Sequence, residues 1–359
     1  MEKIIYVISF LLSSANYLVN LSVPLYLILR FSASPLIIGI AGFLGNFAYT
    51  IFTYIFYRKK WRIHFPWFVI SSILICFAYL FLPFVKSCLF FFLILFLNGI
   101  FYSRFWPSIQ YFFSNSTKNI DKYNLSWSIG AIFGIFISGY LFKIKESLPF
   151  LTGSFFAFFA FFLGRINFRK FLNLYNQLPE KFFIENKIDK ETKKIMFLNF
   201  VNFFGIGGII FLFPKLAKTI NYSSPLISNI LTSLLVLRTF MFYLFSRIKV
   251  KIDENIIFIP YFLISISLSL TGIFKSPFLH AVFISMLGVS SALSYRIALL
   301  TVIKKGYSTE LNESIIGVGL FTGPIVIGIL SQIFGIFNGF VFSGILILFI
   351  FLFQEFLLK

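Results

Sequence analysis

The chain has 359 residues, of which 59% are hydrophobic, 21% aromatic and only 12% charged. A soluble chain carries about twice that share of charge, so a soluble globular enzyme, a disordered chain and a fibre are excluded, and a lipid-facing surface is implied. The formal charge of +19 fits basic cytoplasmic loops better than a nucleic-acid surface.

Runs of about 20 apolar residues predict twelve spans, at 4–29, 36–57, 67–85, 88–113, 124–142, 149–164, 195–216, 225–246, 256–274, 278–303, 313–334 and 336–357. The runs are continuous rather than alternating, so they read as helices and not barrel strands. The first run is too long and lacks the cleavage site of a signal peptide. The sixth is short and should extend into a neighbouring loop. Phe155 to Phe162 and Phe349 to Phe353 make the sixth and twelfth spans peripheral and lipid-facing. The longest connection, 165–194, is too short for a folded domain of ordinary size.

Lys and Arg set the orientation. Of 31, 21 fall on the side of the N-terminus, seven on the opposite side, and three, Arg104, Arg238 and Arg296, inside spans. Both termini are therefore expected in the cytoplasm, with the chain a multi-pass protein of the cell (inner) membrane.

The two halves repeat. Pro24 and Pro214 are 190 apart, as are Ser34-Pro35 and Ser224-Pro225, while Gly99, Gly130, Gly134 and Gly139 recur 189 residues on as Gly288, Gly319, Gly323 and Gly328. An even number of spans per repeat makes the halves parallel, related by an axis along the membrane normal. The expected architecture is all-α, with six-helix bundles at 1–164 and 195–359 and a basic cytoplasmic loop at 165–194.

Over its whole length this layout resembles the major facilitator superfamily. Ser32-Ala33-Ser34-Pro35 through Gly39 is similar to the family's first turn. Asn98-Gly99 and Phe105-Trp106-Pro107 resemble its fourth helix, and Asn124 through Gly130, Gly134 and Gly139 its fifth. Arg58-Lys59-Lys60 matches the basic part of the loop after helix two. Tyr54, Leu95 and Ile135 depart from the family, standing near its loop Asp, at its fourth-helix Arg and at the antiporters' Pro. The resemblance implies transport by alternating access, with helices one, four, seven and ten around a central cavity.

Polar groups are costly in lipid, so their positions mark a cavity or a helix contact. Ser9, Ser13, Asn16 and Asn20 share one face of span one, and Asn46, Thr50, Thr53 and Tyr57 share one of span two. Span four offers Asn98, Tyr102 and Trp106, and span seven Asn199 and Asn202. No Asp or Glu falls deep inside a span; Glu313 and Glu355 stand near ends. A mid-bilayer Arg costs at least about 2.5 kcal/mol, so Arg104, with Ser108 and Tyr111 on its face, and Arg296, beside a small-residue groove, are cavity candidates. Arg238, among leucines, is a weaker one. Substrate contacts are thus expected at Asn16, Asn20, Asn98, Arg104, Asn199, Asn202 and Arg296. The glycines from Gly205 to Gly208 read as close packing, not a phosphate loop.

No paired carboxylates or metal-type cluster supports catalysis. Cys76 and Cys88 form no disulfide framework, His64 and His280 have no catalytic partners, and no cofactor is expected. The leading expectation is a non-enzymatic, monomeric transporter of a small solute, anionic or zwitterionic, working as a uniporter, an exchanger or by ion coupling through Glu310 or Glu313. The alternatives are a lipid-modifying membrane enzyme and a transporter-like sensor without net transport.

Overall fold

Proline, asparagine and glycine punctuate an otherwise continuous run of helix-forming apolar sequence. The computed structural model describes residues 2–58, 65–113, 117–177, 188–247, 254–307 and 309–357. Its α-helices are α1 Glu2–Phe31, α2 Pro35–Arg58, α3 Trp67–Phe81, α4 Cys88–Phe113, α5 Thr117–Ile144, α6 Leu148–Ile166, α7 Phe168–Gln177, α8 Lys190–Thr219, α9 Ser224–Arg247, α10 Glu254–Ile273, α11 Pro277–Lys304, α12 Thr309–Phe334 and α13 Ile336–Leu357. Eleven are long and apolar enough to cross a membrane, so this is a multi-pass membrane protein; α10 contributes a shorter apolar stretch, Phe258–Ile273. His64 and the side chains of Tyr57, Tyr111 and Glu310 lie outside the described residues.

The ends have local causes. Asp189 caps α8, accepting from Thr192 N and Thr192 Oγ1, both at 2.9 Å. At the other end of α8, Asn221 takes a positive φ of 61°. Asn221 N then donates to Lys218 O and Tyr222 N to Ala217 O, closing orphan carbonyls in the double hydrogen-bond pattern of a left-handed helix stop. Gly306, at φ 73°, ends α11 similarly, with Tyr307 N donating to Val302 O.

Glycines fix the packing. A side chain at Gly130 or Gly134 would strike the Phe10 and Ser14 backbone of α1, and one at Gly319 or Gly323 the Phe200 and Phe204 backbone of α8. The α1–α5 contact thus recurs in α8–α12. Gly99 against Gly45 and Gly288 against Leu234 repeat the α2–α4 contact in α9–α11. Two further seams join early helices to late ones, α2 with α12 and α5 with α9. Gly39 lies on Pro324 and Gly328, and Gly139 on Ser224.

Exposure separates inner from outer helices. Phe155, Phe158, Phe159 and Phe162 of α6 and Phe349, Leu352 and Phe353 of α13 are exposed, whereas nearly all of the apolar part of α8 is buried. The connection 165–194 contains structure the hydropathy reading missed. In α7, Phe171 and Tyr175 are fully buried; their rings pack on Phe68, and Tyr175 Oη donates to Ser108 O at 2.5 Å. Phe168, Phe171, Leu172 and Tyr175 stand at i, i+3, i+4 and i+7, an amphipathic signal readable in advance.

Candidate functional site: a central cavity with an uneven wall

A cavity of about 1170 Å³, including its open space, lies among α1, α2, α4, α5, α8, α11 and α12. Its wall is chemically uneven. From α1 come Asn16, Tyr17 and Asn20; from α2 Asn46 and Tyr49; from α4 Asn98, Tyr102, Trp106 and Gln110; from α5 Tyr123 and Trp127. Opposite, α8 presents Phe203, Ile206, Gly207, Ile210 and Phe211, with Tyr295 of α11 and Glu313, Ile316 and Leu320 of α12 beside them.

The polar side is partly self-satisfied. Asn20 Nδ2 donates to Asn16 Oδ1 at 3.3 Å. Asn46 Nδ2 donates to Gly42 O at 2.8 Å and, across the seam, to Leu320 O at 3.3 Å. Tyr79 and Tyr102 share a hydroxyl hydrogen bond of 3.0 Å. The buried Asn98 Oδ1 has no hydrogen-bond partner, so it remains an acceptor at the cavity wall.

Only part of the predicted polar set meets here. Asn16, Asn20 and Asn98 line the cavity. Ser9 and Ser13, on the same predicted stripe, are buried elsewhere: Ser9 Oγ donates to Ile5 O and Ser13 Oγ to Trp127 O. Asn199 and Asn202 are fully buried in helix contacts, Asn199 Nδ2 donating to Asn312 Oδ1 at 3.1 Å and Asn202 Oδ1 accepting from Ser290 Oγ at 3.5 Å. Arg104 lines a separate small cavity with Thr53, Trp67, Ser103, Pro107 and Ser108, its guanidinium 3.4 Å from the Phe56 ring centre and 5.1 Å from that of Trp67. Arg296 Nη1 donates to Phe245 O. The two arginines expected at the cavity therefore sit on aromatic rings and a backbone carbonyl.

Two other charged residues stand at the cavity wall or directly behind it. Glu313, one turn into α12 and buried, accepts from Tyr49 Oη and from Gln110 Nε2, the latter at 2.6 Å. It ties α12 to α2 and α4 at the cavity wall. The sequence places it near the end of its span and offers it, with Glu310, as an ion-coupling candidate. Arg238 of α9 is 1% exposed, with its Cζ 4.7 Å from the Trp127 ring centre and 5.9 Å from that of Tyr17. Its leucine neighbours disguised it: they pack on one side while the guanidinium reaches the aromatic wall. The aromatics Trp127, Phe203, Phe242 and Tyr295 form one edge-on cluster there.

No family model and no curated protein matches the chain. Solved structures do, at fold level. The nucleoside transporter NupG aligns over 99% of this chain and 98% of its own, at 12% identity and TM-score 0.71. A POT family transporter in complex with 5-aminolevulinic acid aligns over 100% and 96%, at 12% identity and 0.72. A mutant of the peptide transporter POT in complex with sulfate aligns over 97% and 94%, at 10% identity and 0.73. With both chains covered nearly end to end, this protein has the fold of the major facilitator superfamily transporters.

Proposed function

We propose that the chain is a transporter of a small solute that works by alternating access, and not an enzyme. The observation that carries this reading is the cavity, enclosed by early and late helices that meet along two glycine-tight seams. In this reading α10 is the twelfth span, α1–α6 (1–164) and α8–α13 (195–359) are the two bundles, and 165–194 joins them. The bundles rock about the cavity so that it opens to each side in turn. The basic bias of the loops supports cytoplasmic termini in the cell membrane, and a monomer suffices because one chain encloses the cavity.

Asn16, Asn20 and Asn98 are the solute contacts of this proposal; Arg104, Asn199, Asn202 and Arg296 serve helix packing. An anionic or zwitterionic solute suits the amide and hydroxyl donors of the α1 and α4 wall, and two neighbours of the same fold hold 5-aminolevulinic acid and sulfate. Glu313, spanning the α2–α12 seam, is the coupling-ion candidate. The test is reconstitution into proteoliposomes after a thermal-shift screen against metabolites, since a ligand specific for the folded state raises its apparent stability. Saturable uptake of a stabilising metabolite, absent from empty vesicles, is expected. Binding without flux in either direction overturns transport in favour of a sensor.

A further inference from the structure

We propose that Arg238 binds the anionic group of the solute, a carboxylate or a phosphate, and that Tyr17 holds that place when the cavity is empty. This rests on the transport reading and adds to it a residue and a chemical class.

Arg238 carries a charge almost wholly out of solvent, at 1% exposure. Its one hydrogen bond is long, from Nη2 to Tyr17 Oη at 3.5 Å, and its Nε and Nη1 have no partner. No carboxylate of the described residues pairs with it. The faces of Trp127 and Tyr17 offset part of the charge, but a ring face accepts no N–H hydrogen bond of normal strength. Two unsatisfied donors on a buried cation are costly to maintain. Both rings line the cavity, as does the neighbouring Tyr295, so the guanidinium stands one layer behind a wall that solute touches.

The other two intramembrane arginines stand away from that wall. Arg296 is satisfied by a carbonyl and Arg104 is stacked on rings away from the cavity. The repeat sharpens the contrast, because Arg238 lies 189 residues after Tyr49. On the α2–α12 seam, Tyr49 meets the carboxylate of Glu313, which Gln110 also satisfies. On the α5–α9 seam, the matching position holds a cation whose only polar contact is a tyrosine hydroxyl. One seam is complete, and the other has donors awaiting an acceptor. Of the groups a small solute can bring, an oxyanion supplies that acceptor with charge and lone pairs together. Tyr17 Oη, at the edge of hydrogen-bond distance, is the contact it displaces.

The test uses detergent-purified full-length protein and thermal unfolding with matched probes: N-acetylleucine as an anion, leucine as a zwitterion, leucinamide as a cation, together with inorganic phosphate and glucose 6-phosphate. In the wild type at least one oxyanion probe should raise the unfolding temperature in a saturable way, and leucinamide should not. In Arg238→Gln the apparent Kd for that probe should weaken roughly tenfold or more, the loss of a charge-assisted hydrogen bond. Arg238→Lys should recover part of it, and Tyr17→Phe, which removes the competing hydroxyl, should keep or tighten it. If Arg238→Gln does not elute as a single species, the Tyr17→Phe response decides. The proposal is overturned if no oxyanion stabilises the wild type, if leucinamide matches the anions, if the anion shift survives Arg238→Gln, or if Tyr17→Phe abolishes it. Flux separates the two readings: a carried solute that is neutral or cationic, and indifferent to Arg238→Gln, sinks this proposal and leaves transport standing. Anion binding lost in Arg238→Gln, with no flux of any bound probe, does the reverse.

Discussion

Helices α1 and α8 make matching glycine contacts and present different side chains to the cavity. Each lies under a pair of glycines from the helix four places later, Gly130 and Gly134 on α1, Gly319 and Gly323 on α8. At an offset of 190, Asn16 and Asn20 of α1 correspond to Ile206 and Ile210 of α8, and all four line the cavity. The backbone contact is the same while the side chains facing the cavity differ, amides on α1 and aliphatics on α8. The asparagines of α8, Asn199 and Asn202, point away from the cavity into the buried contacts with α12 and α11. Helix packing is thus alike in the two places, while amide side chains of the cavity stand on α1 and not on α8.

The sharpest way to break the shared part is to fill a glycine. Gly134→Leu and Gly323→Leu each drive a side chain into backbone that has no rotamer to yield. Overpacking of this kind costs about 3 kcal/mol or more, and both variants should lose monodisperse protein on size exclusion to a similar extent. If one is tolerated and the other is not, the α1–α5 and α8–α12 contacts are not equivalent.

The divergent part breaks differently on each helix. Asn199→Leu strands Asn312 Oδ1 in a buried contact, and leaving a buried polar group unpaired costs about 1–3 kcal/mol. It should lower thermal stability and leave solute affinity unchanged once the protein is folded. Asn16→Leu should do the opposite, with stability within about 0.5 kcal/mol of wild type and solute uptake reduced severalfold. If both substitutions lower stability alike, the amides of α1 are packing residues too. Ile206→Asn should have a smaller effect, shifting selectivity toward more polar solutes, read as a changed ranking in a competition assay.

Much of this was legible in the sequence, for reasons that also mark where legibility stopped. Span positions follow from hydropathy alone, and the glycines at 130, 134 and 139, read in the sequence as part of a repeat, stand at close helix contacts. The stripe of Ser9, Ser13, Asn16 and Asn20 was legible as a face, but not which part of it meets the cavity. Ser13 is taken by the Trp127 carbonyl of α5, a partner 114 residues away that no helical periodicity reveals. The arginines are ranked by their own helix neighbours, which cannot show the rings that Arg238 meets, since these come from α1 and α5. The amphipathic α7 was readable, but a search for spans of about 20 residues passes over ten.

The two helices also begin differently, and this gives the smallest expected effect. Helix α8 starts from Asp189, whose carboxylate accepts from the Thr192 backbone and hydroxyl and receives Lys305 Nζ at 3.1 Å. The Thr192 N–H, above all, holds the Asp189 carboxyl down at about 2, below the usual value of about 3.9. Because the folded-state value is the lower one, the ionised cap contributes its full stability above pH of about 4. That contribution is lost as pH falls from there through about 2. The hydrogen bonds with Glu191, above all, and Asp189 raise the Lys305 ammonium, so its share runs the other way: present through neutral pH and lost only as pH rises past the normal lysine range. Asp189→Ala should therefore lower stability by about 1 kcal/mol at neutral pH, the usual loss for an N-cap. Between pH of about 4 and 2 the gap between wild type and variant should close, because the wild type loses what the variant never had. Thermal unfolding across that window checks it, and a gap that stays constant shows that the cap acts through its shape and not its charge. Were solute uptake also to fall in Asp189→Ala, the start of α8 would belong to the moving parts, and the division between a structural α8 and a recognising α1 would have to be redrawn.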